Sequence, residues 1–267
     1  MFERYVAIGD SSTEGLQDRD GNGGLRGWSF RLAGKIADAQ GRLLYANLAV
    51  RGATTRQIVT HQLERAVGMR PDLATVFSGT NDVLRRRFDV DAFAADVARL
   101  QSSLRAVGAT VLTFTLPDLT PLLPVARRLA PRILAMNAAV RAACAASGTR
   151  LVDFAAIPLA TDPRLWDEDR IHANPAGHER IASALAEALG LPGANADWRR
   201  PLPPLPAPSP VAGLWRELRW WRFPLQSLLR GLGRGGDVHA FAGRRPTLAP
   251  YVQPEPARAS SRAAPCA

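Results

Sequence analysis

Five residues of this 267-residue chain carry groups suited to acyl transfer. Ser11 lies in the run Gly-Asp-Ser-Ser-Thr-Glu-Gly at 9–15, directly after a β-rich run. A hydroxyl at such a strand end, where the next helix begins, is surrounded by backbone N–H groups able to stabilise negative charge. The same position suits a helix cap, and Ser12 and Thr13 are rival hydroxyls. Asp169 and His172 stand three apart, and a helical turn there would put both side chains on one side. An aspartate bonded to one imidazole nitrogen fixes the tautomer and leaves the other nitrogen to take a hydroxyl proton. Asp167 and Glu168 compete for that role at poorer spacing.

Gly52 and Asn81 supply the complementary half. Gly52, in Asn-Leu-Ala-Val-Arg-Gly-Ala-Thr-Thr at 47–55, follows a second strand candidate. A glycine there lets backbone approach a ligand and expose its N–H, or serves as an ordinary left-handed turn residue. Asn81, in Ser-Gly-Thr-Asn-Asp at 78–82, follows a third. Its amide has two donor hydrogens that could face a developing oxyanion, although the same residue types build plain turns. Asp82 is a turn cap or a residue orienting that loop. His178 reads as a structural histidine facing a helix, while His61 and His239 receive no role.

These residues need a frame. β-rich runs at 5–8, 43–48, 74–77, 110–115 and 151–153 alternate with helix-period segments near 28–39, 55–67, 92–107, 127–146 and 175–189. Such alternation predicts a parallel sheet covered on both faces. Five strands fit an α/β, flavodoxin-like three-layer sandwich with a five-stranded parallel sheet, whose sites form outside the carboxyl ends of the strands.

Taken in order, the four motif-bearing segments resemble blocks I, II, III and V of the SGNH (GDSL-like) hydrolases over roughly residues 4–190. Gly-Asp-Ser-Ser-Thr-Glu-Gly resembles the serine block, Gly52 matches the glycine block, Gly79, Asn81 and Asp82 match G-x-N-D, and Asp169 with His172 matches D-x-x-H. The G-x-S-x-G elbow of α/β-hydrolases does not occur. The resemblance implies a serine esterase acting on a small-molecule carboxylic ester, with no cofactor and no metal. It implies Ser11 as nucleophile, His172 as base, Asp169 as its orienting partner, and the Ser11 N–H, Gly52 N–H and Asn81 side chain as oxyanion hole. An acyltransferase or thioesterase would use the same triad, and a non-catalytic binding module could share the fold. The sequence gives no sign of a deep aliphatic pocket. The apolar, proline-containing stretch 116–131 could wall one, but loop packing is the preferred reading.

Composition sets the remaining bounds. The net charge of +10 is uneven: 23 Lys+Arg face 20 Asp+Glu in residues 1–195, and 11 face 4 in residues 196–267. Lys35 is the only lysine, so arginine is simply the usual cation here and nucleic acid is not an expected partner. Cys144 and Cys266 suggest neither a disulfide framework nor a metal site. No basic-then-apolar leader and no apolar run long enough to span a bilayer is read, which makes cytoplasmic the expected location. Residues 1–195 are expected to form the hydrolase domain. Residues 196–267 are expected to form an extension that opens with a proline-rich stretch and continues with a short helix over 214–225 carrying Trp215, Trp220 and Trp221. That helix is expected to pack its tryptophans onto the domain, with membrane-surface contact as the alternative. The last thirty or so residues are expected to be disordered, and nothing in the sequence sets the oligomeric state.

Overall fold

The protein is described by a computed structural model covering residues 1–20, 24–204, 220, 243 and 245–252. Parallel strands β1 (Arg4–Gly9), β2 (Leu44–Asn47), β3 (Leu73–Phe77), β4 (Thr110–Phe114) and β5 (Arg150–Val152) lie in the order β5-β4-β3-β1-β2. This is the flavodoxin-like doubly wound order, whose direction of winding reverses between β1 and β3. Loops leaving those two carboxyl ends diverge and open a crevice between them.

Among the residues described without a break, eight α-helices flank the sheet: α1 (Ser11–Glu14), α2 (Gly27–Gln40), α3 (Thr55–His61), α4 (Leu63–Gly68), α5 (Thr80–Val83), α6 (Val90–Ala106), α7 (Ala130–Ser147) and α8 (Pro175–Leu189). Strand side chains alternate between faces. Tyr5 and Ala7 of β1 enter a cluster with Trp28, Leu32 and Ile36 of α2 and Leu185 of α8. Val6 and Ile8 enter a second cluster with Ile58 of α3, Ala66 of α4 and Leu100 and Leu104 of α6. Burial on both faces explains why β1 and β3 read as continuous apolar runs.

Two features depart from expectation. The sheet has six strands, because β6 (Arg245–Pro250) from the extension pairs antiparallel with β2. Its prolines stand at the ends of an edge strand, where a missing N–H costs little, and its arginine and proline content masked it. Tyr251, just beyond, packs on Phe30 at 4.8 Å between ring centres. The helix expected over 55–67 is broken into α3 and α4 at Gln62. Gln62 is buried and turns its amide onto the end of β1, accepting from the Gly9 N–H and donating to the Gly9 carbonyl, both at 2.9 Å.

The tryptophan-bearing helix over 214–225 lies outside the described residues except for Trp220. The Trp220 Nε1 donates to the Asp169 carbonyl at 3.4 Å, and the Arg170 guanidinium lies 5.2 Å from its ring centre. No described helix is long and apolar enough to cross a membrane.

Candidate active site

The serine turn is built by what β1 must do at its end. A Cβ on Gly9 would sit 2.2 Å from Thr13 Oγ1 and 2.6 Å from the Phe77 carbonyl oxygen, so only glycine lets the chain bend into α1 beside β3. Asp10 caps α1, its Oδ1 accepting from the Ser12 N–H at 3.0 Å. Ser11 becomes the first residue of that short helix. Of the three hydroxyls in the turn, Ser12 accepts from Trp28 Nε1 at 3.3 Å and Thr13 is fully buried. Ser11 Oγ instead lies 2.7 Å from His172 Nε2.

Asp169 and His172 do not share a helical turn. An antiparallel bridge between Trp166 and Ala173 closes a tight loop, pinned by the Asp167 N–H donating to the His172 carbonyl at 2.8 Å. Arg170 takes a left-handed conformation, φ +59°, at its tip. The Asp169 Oδ1 accepts from the Ile171 and His172 N–H groups at 2.9 Å each, and its Oδ2 lies 2.7 Å from His172 Nδ1. Burial raises the Asp169 carboxyl, but the bonds from His172 and the two backbone N–H groups outweigh it and hold it below the ordinary carboxylate value. An ionised Asp169 accepts the Nδ1 hydrogen, so the Nε2 lone pair faces Ser11. Asp167 lacks that partner, and burial together with the nearby Asp169 charge holds its carboxyl above the usual range.

His178 lies six residues beyond His172 and is structural. Its Nδ1 accepts from the Trp28 N–H at 3.0 Å and its Nε2 donates to the Leu16 carbonyl at 2.9 Å. Burial pushes it down to about 4, so it is neutral and ties α8 to the start of α2. His61 ends α3, and His239 lies outside the described residues.

The other half of the site gathers around Asn81. Its Nδ2 donates to the Ala53 carbonyl at 3.0 Å and approaches Asp10 Oδ2 at 3.3 Å, so one side chain links the neighbour of Gly52 to the neighbour of Ser11. Gly52 adopts φ +76°. Neither the Gly52 nor the Ser11 N–H meets an acceptor among the described residues. Asp82 anchors the same loop, its Oδ2 accepting from the Thr55 N–H and hydroxyl at 3.0 Å each. Burial raises Asp10 to about 7 and also raises Asp82.

Three supports were not legible beforehand. Arg51, beside Gly52, forks onto the buried Glu14 of the serine turn. Gln62 holds Gly9, and Asp10 reaches Asn81. An acidic residue three past the serine and an arginine next to the glycine were the available signals.

Beside Ser11 and His172 opens a cavity of about 80 Å³, lined by Phe77, Phe114, Leu116, Phe154, Ile157 and Trp198 among others. No single stretch of sequence announces this pocket, because its lining is spread over the ends of β3 and β4, the segments after β4 and β5, α8 and the turn after it. Of the stretch 116–131, only Leu116 and Pro117 wall it. Leu119, Leu122 and Leu123 pack into the core instead.

The arrangement offers a hydroxyl hydrogen-bonded to an oriented imidazole, with backbone donors close by. A family model for the GDSL-like lipase/acylhydrolases matches residues 7–180. Among solved structures, the α/β hydrolase LAE5 from the metagenome of Lake Arreo superposes with a TM-score of 0.59 at 24% identity, over 70% of this chain and 95% of that one. TesA gives 0.58 at 23%, over 70% and 98%. An acetylxylan esterase, Axe2 from Geobacillus stearothermophilus, gives 0.59 at 20%, over 73% and 97%. At such identities these likenesses speak for the fold alone. No functionally curated protein matches the sequence. The match over residues 7–180 settles the family: the chain belongs to the GDSL-like lipase/acylhydrolases and is a carboxylic ester hydrolase.

Proposed function

We propose that this hydrolase works through a Ser11–His172–Asp169 triad and an acyl-enzyme on Ser11. The observation carrying this reading is the unbroken relay from Ser11 Oγ to His172 Nε2 and from His172 Nδ1 to Asp169 Oδ2, each at 2.7 Å. Ser11 Oγ attacks the ester carbonyl as His172 takes its proton, and the oxygen–carbon bond forms. The resulting oxyanion is held by the Ser11 and Gly52 N–H groups and by Asn81 Nδ2, which gives up its longer contact with Asp10 to do so. The carbon–alkoxide bond then breaks and His172 passes its proton to the departing oxygen. Water attacks the acyl-enzyme, His172 takes a water proton, and the proton returns to Ser11 as the acid leaves.

Covalent labelling by a fluorophosphonate and hydrolysis of p-nitrophenyl acetate test the reading together. The full-length protein is expected to do both and Ser11→Ala neither. Hydrolysis retained by Ser11→Ala would overturn it.

A further inference from the structure

We infer that the cavity beside Ser11 is an acyl-chain pocket, and that this esterase takes unbranched aliphatic acyl groups of medium length in preference to acetyl. The inference rests on the Ser11 reading above and extends it to the substrate.

The wall is a ladder of rings that starts at the strand ends flanking the serine turn. Phe77 stacks on Phe114 with centres 4.2 Å apart, Phe114 meets the edge of Phe154 at 5.4 Å, and Phe154 meets Trp198 at 5.7 Å. The ladder runs from β3, next to Gly9, across β4 and the turn just after β5 to the turn that follows α8. The two indole N–H groups of the lining and Arg180 Nη1 are engaged elsewhere. Trp198 Nε1 donates to Glu187 Oε2 at 2.6 Å and Trp166 Nε1 to the Ala160 carbonyl at 2.9 Å. Arg180 donates to the Trp198 carbonyl and, at 2.9 Å, to that of Arg200. The pocket beyond its mouth therefore presents carbon. A sugar or other polyhydroxyl group would lose its hydrogen bonds to water there with little in return, whereas an alkyl chain gains by leaving water.

Which half of the ester enters follows from the order of bond breaking. The alcohol must leave before water can reach the acyl carbon, so it belongs on the open side. The acyl group stays covalently attached to Ser11 through both steps, and a dry recess beginning at Ser11 suits the part that stays. A cavity of about 80 Å³ is several times the roughly 10–15 Å³ that a single water needs, so it has room for a run of several carbons.

The test is a panel of p-nitrophenyl esters from acetate to laurate on the full chain, with Ser11→Ala as background and Ala160→Phe and Ile157→Trp to fill the pocket. Both positions line it and neither is fully buried. At about fourfold per buried methylene, kcat/KM is expected to rise from acetate to hexanoate or octanoate by at least about tenfold, then fall. Each filling variant should lower the octanoate-to-acetate ratio of kcat/KM by a similar factor. Acetate as the best substrate of the wild type would overturn the pocket assignment and leave the serine mechanism standing. So would filling variants that fold and slow all esters alike. If neither variant folds, the chain-length profile of the wild type decides alone. Absence of both hydrolysis and fluorophosphonate labelling would instead overturn the Ser11 reading and the inference built on it.

Discussion

The Arg51 guanidinium closes a two-pronged bond on the Glu14 carboxylate, with Nη2 2.9 Å from Oε1 and Nε 3.1 Å from Oε2, while the Arg51 N–H reaches Oε2 at 3.1 Å. Glu14 belongs to the serine turn and Arg51 precedes Gly52, so this pair fixes the distance between two proposed oxyanion donors. Arg51→Ala takes the guanidinium away from a buried carboxylate and leaves it the N–H of residue 51. It should lower stability by about 1–3 kcal/mol in urea denaturation and lower kcat more than it raises KM. Arg51→Lys should restore only part of both, because an ammonium cannot reproduce the planar fork.

Asp169→Asn should keep the fold and lose most of the activity. Asparagine can turn its N–H₂ toward His172 Nδ1, which favours the tautomer that presents a hydrogen to Ser11 instead of a lone pair. A drop in kcat of about 10⁴ is expected by analogy with serine hydrolases of other folds. Unchanged thermal melting beside the lost turnover is the check, and near-full turnover would remove Asp169 from its orienting role.

Asn81→Ala tests the donor that is engaged at rest. If Asn81 releases Asp10 to meet the oxyanion, its loss should cost roughly 10²–10³ in kcat with little change in KM. Fluorophosphonate labelling of Ser11 should slow in parallel. Full turnover in this variant would take Asn81 out of the oxyanion hole.

Asp10 and His178 should act on stability in opposite senses with pH. Asp10 is raised to about 7 by burial. The folded state then holds a proton that the unfolded chain has already released above about pH 4, so stability falls as pH climbs toward 7. Asp10→Asn keeps a capping oxygen and has no charge to bury. Its stability relative to wild type should grow from pH 4 to pH 7 by at most about 4 kcal/mol and then level off.

His178, lowered to about 4 by burial, behaves in reverse. Its contribution is complete above pH 6.5 and is lost as pH falls through 4, an effect of about 3 kcal/mol. Urea midpoints of His178→Gln should accordingly depend less on pH between 6.5 and 4 than those of the wild type. Equal slopes would contradict a neutral, buried imidazole.

The sequence carried the parts of this molecule that local rules control. The α8 boundaries at Pro175 and Leu189 follow from Asn174 as cap, Pro175 in the first turn and Gly190 past the end. Ser11, Gly52 and Asn81 were legible as candidates because each stands shortly after a recognisable strand, and Asp169 and His172 because they lie just ahead of the helix that Pro175 opens. What escaped was non-local. β6 is held by pairing with a strand some two hundred residues away, and its own composition argues against it. The pocket is assembled from segments that have no common motif. The spacing of Asp169 and His172 suggested a helical turn, but the same three-residue step is also met by a tight loop with a left-handed residue at Arg170. There the aspartate bonds backbone N–H groups as well as the imidazole.

Gln62 has a mechanical consequence. One side-chain amide grips both the N–H and the carbonyl of Gly9, two residues before Ser11. The corner between α3 and α4 is therefore a strut braced against the root of the serine turn, and it resists bending there. Ser11 is located by the layer behind the sheet as well as by the loops in front of it.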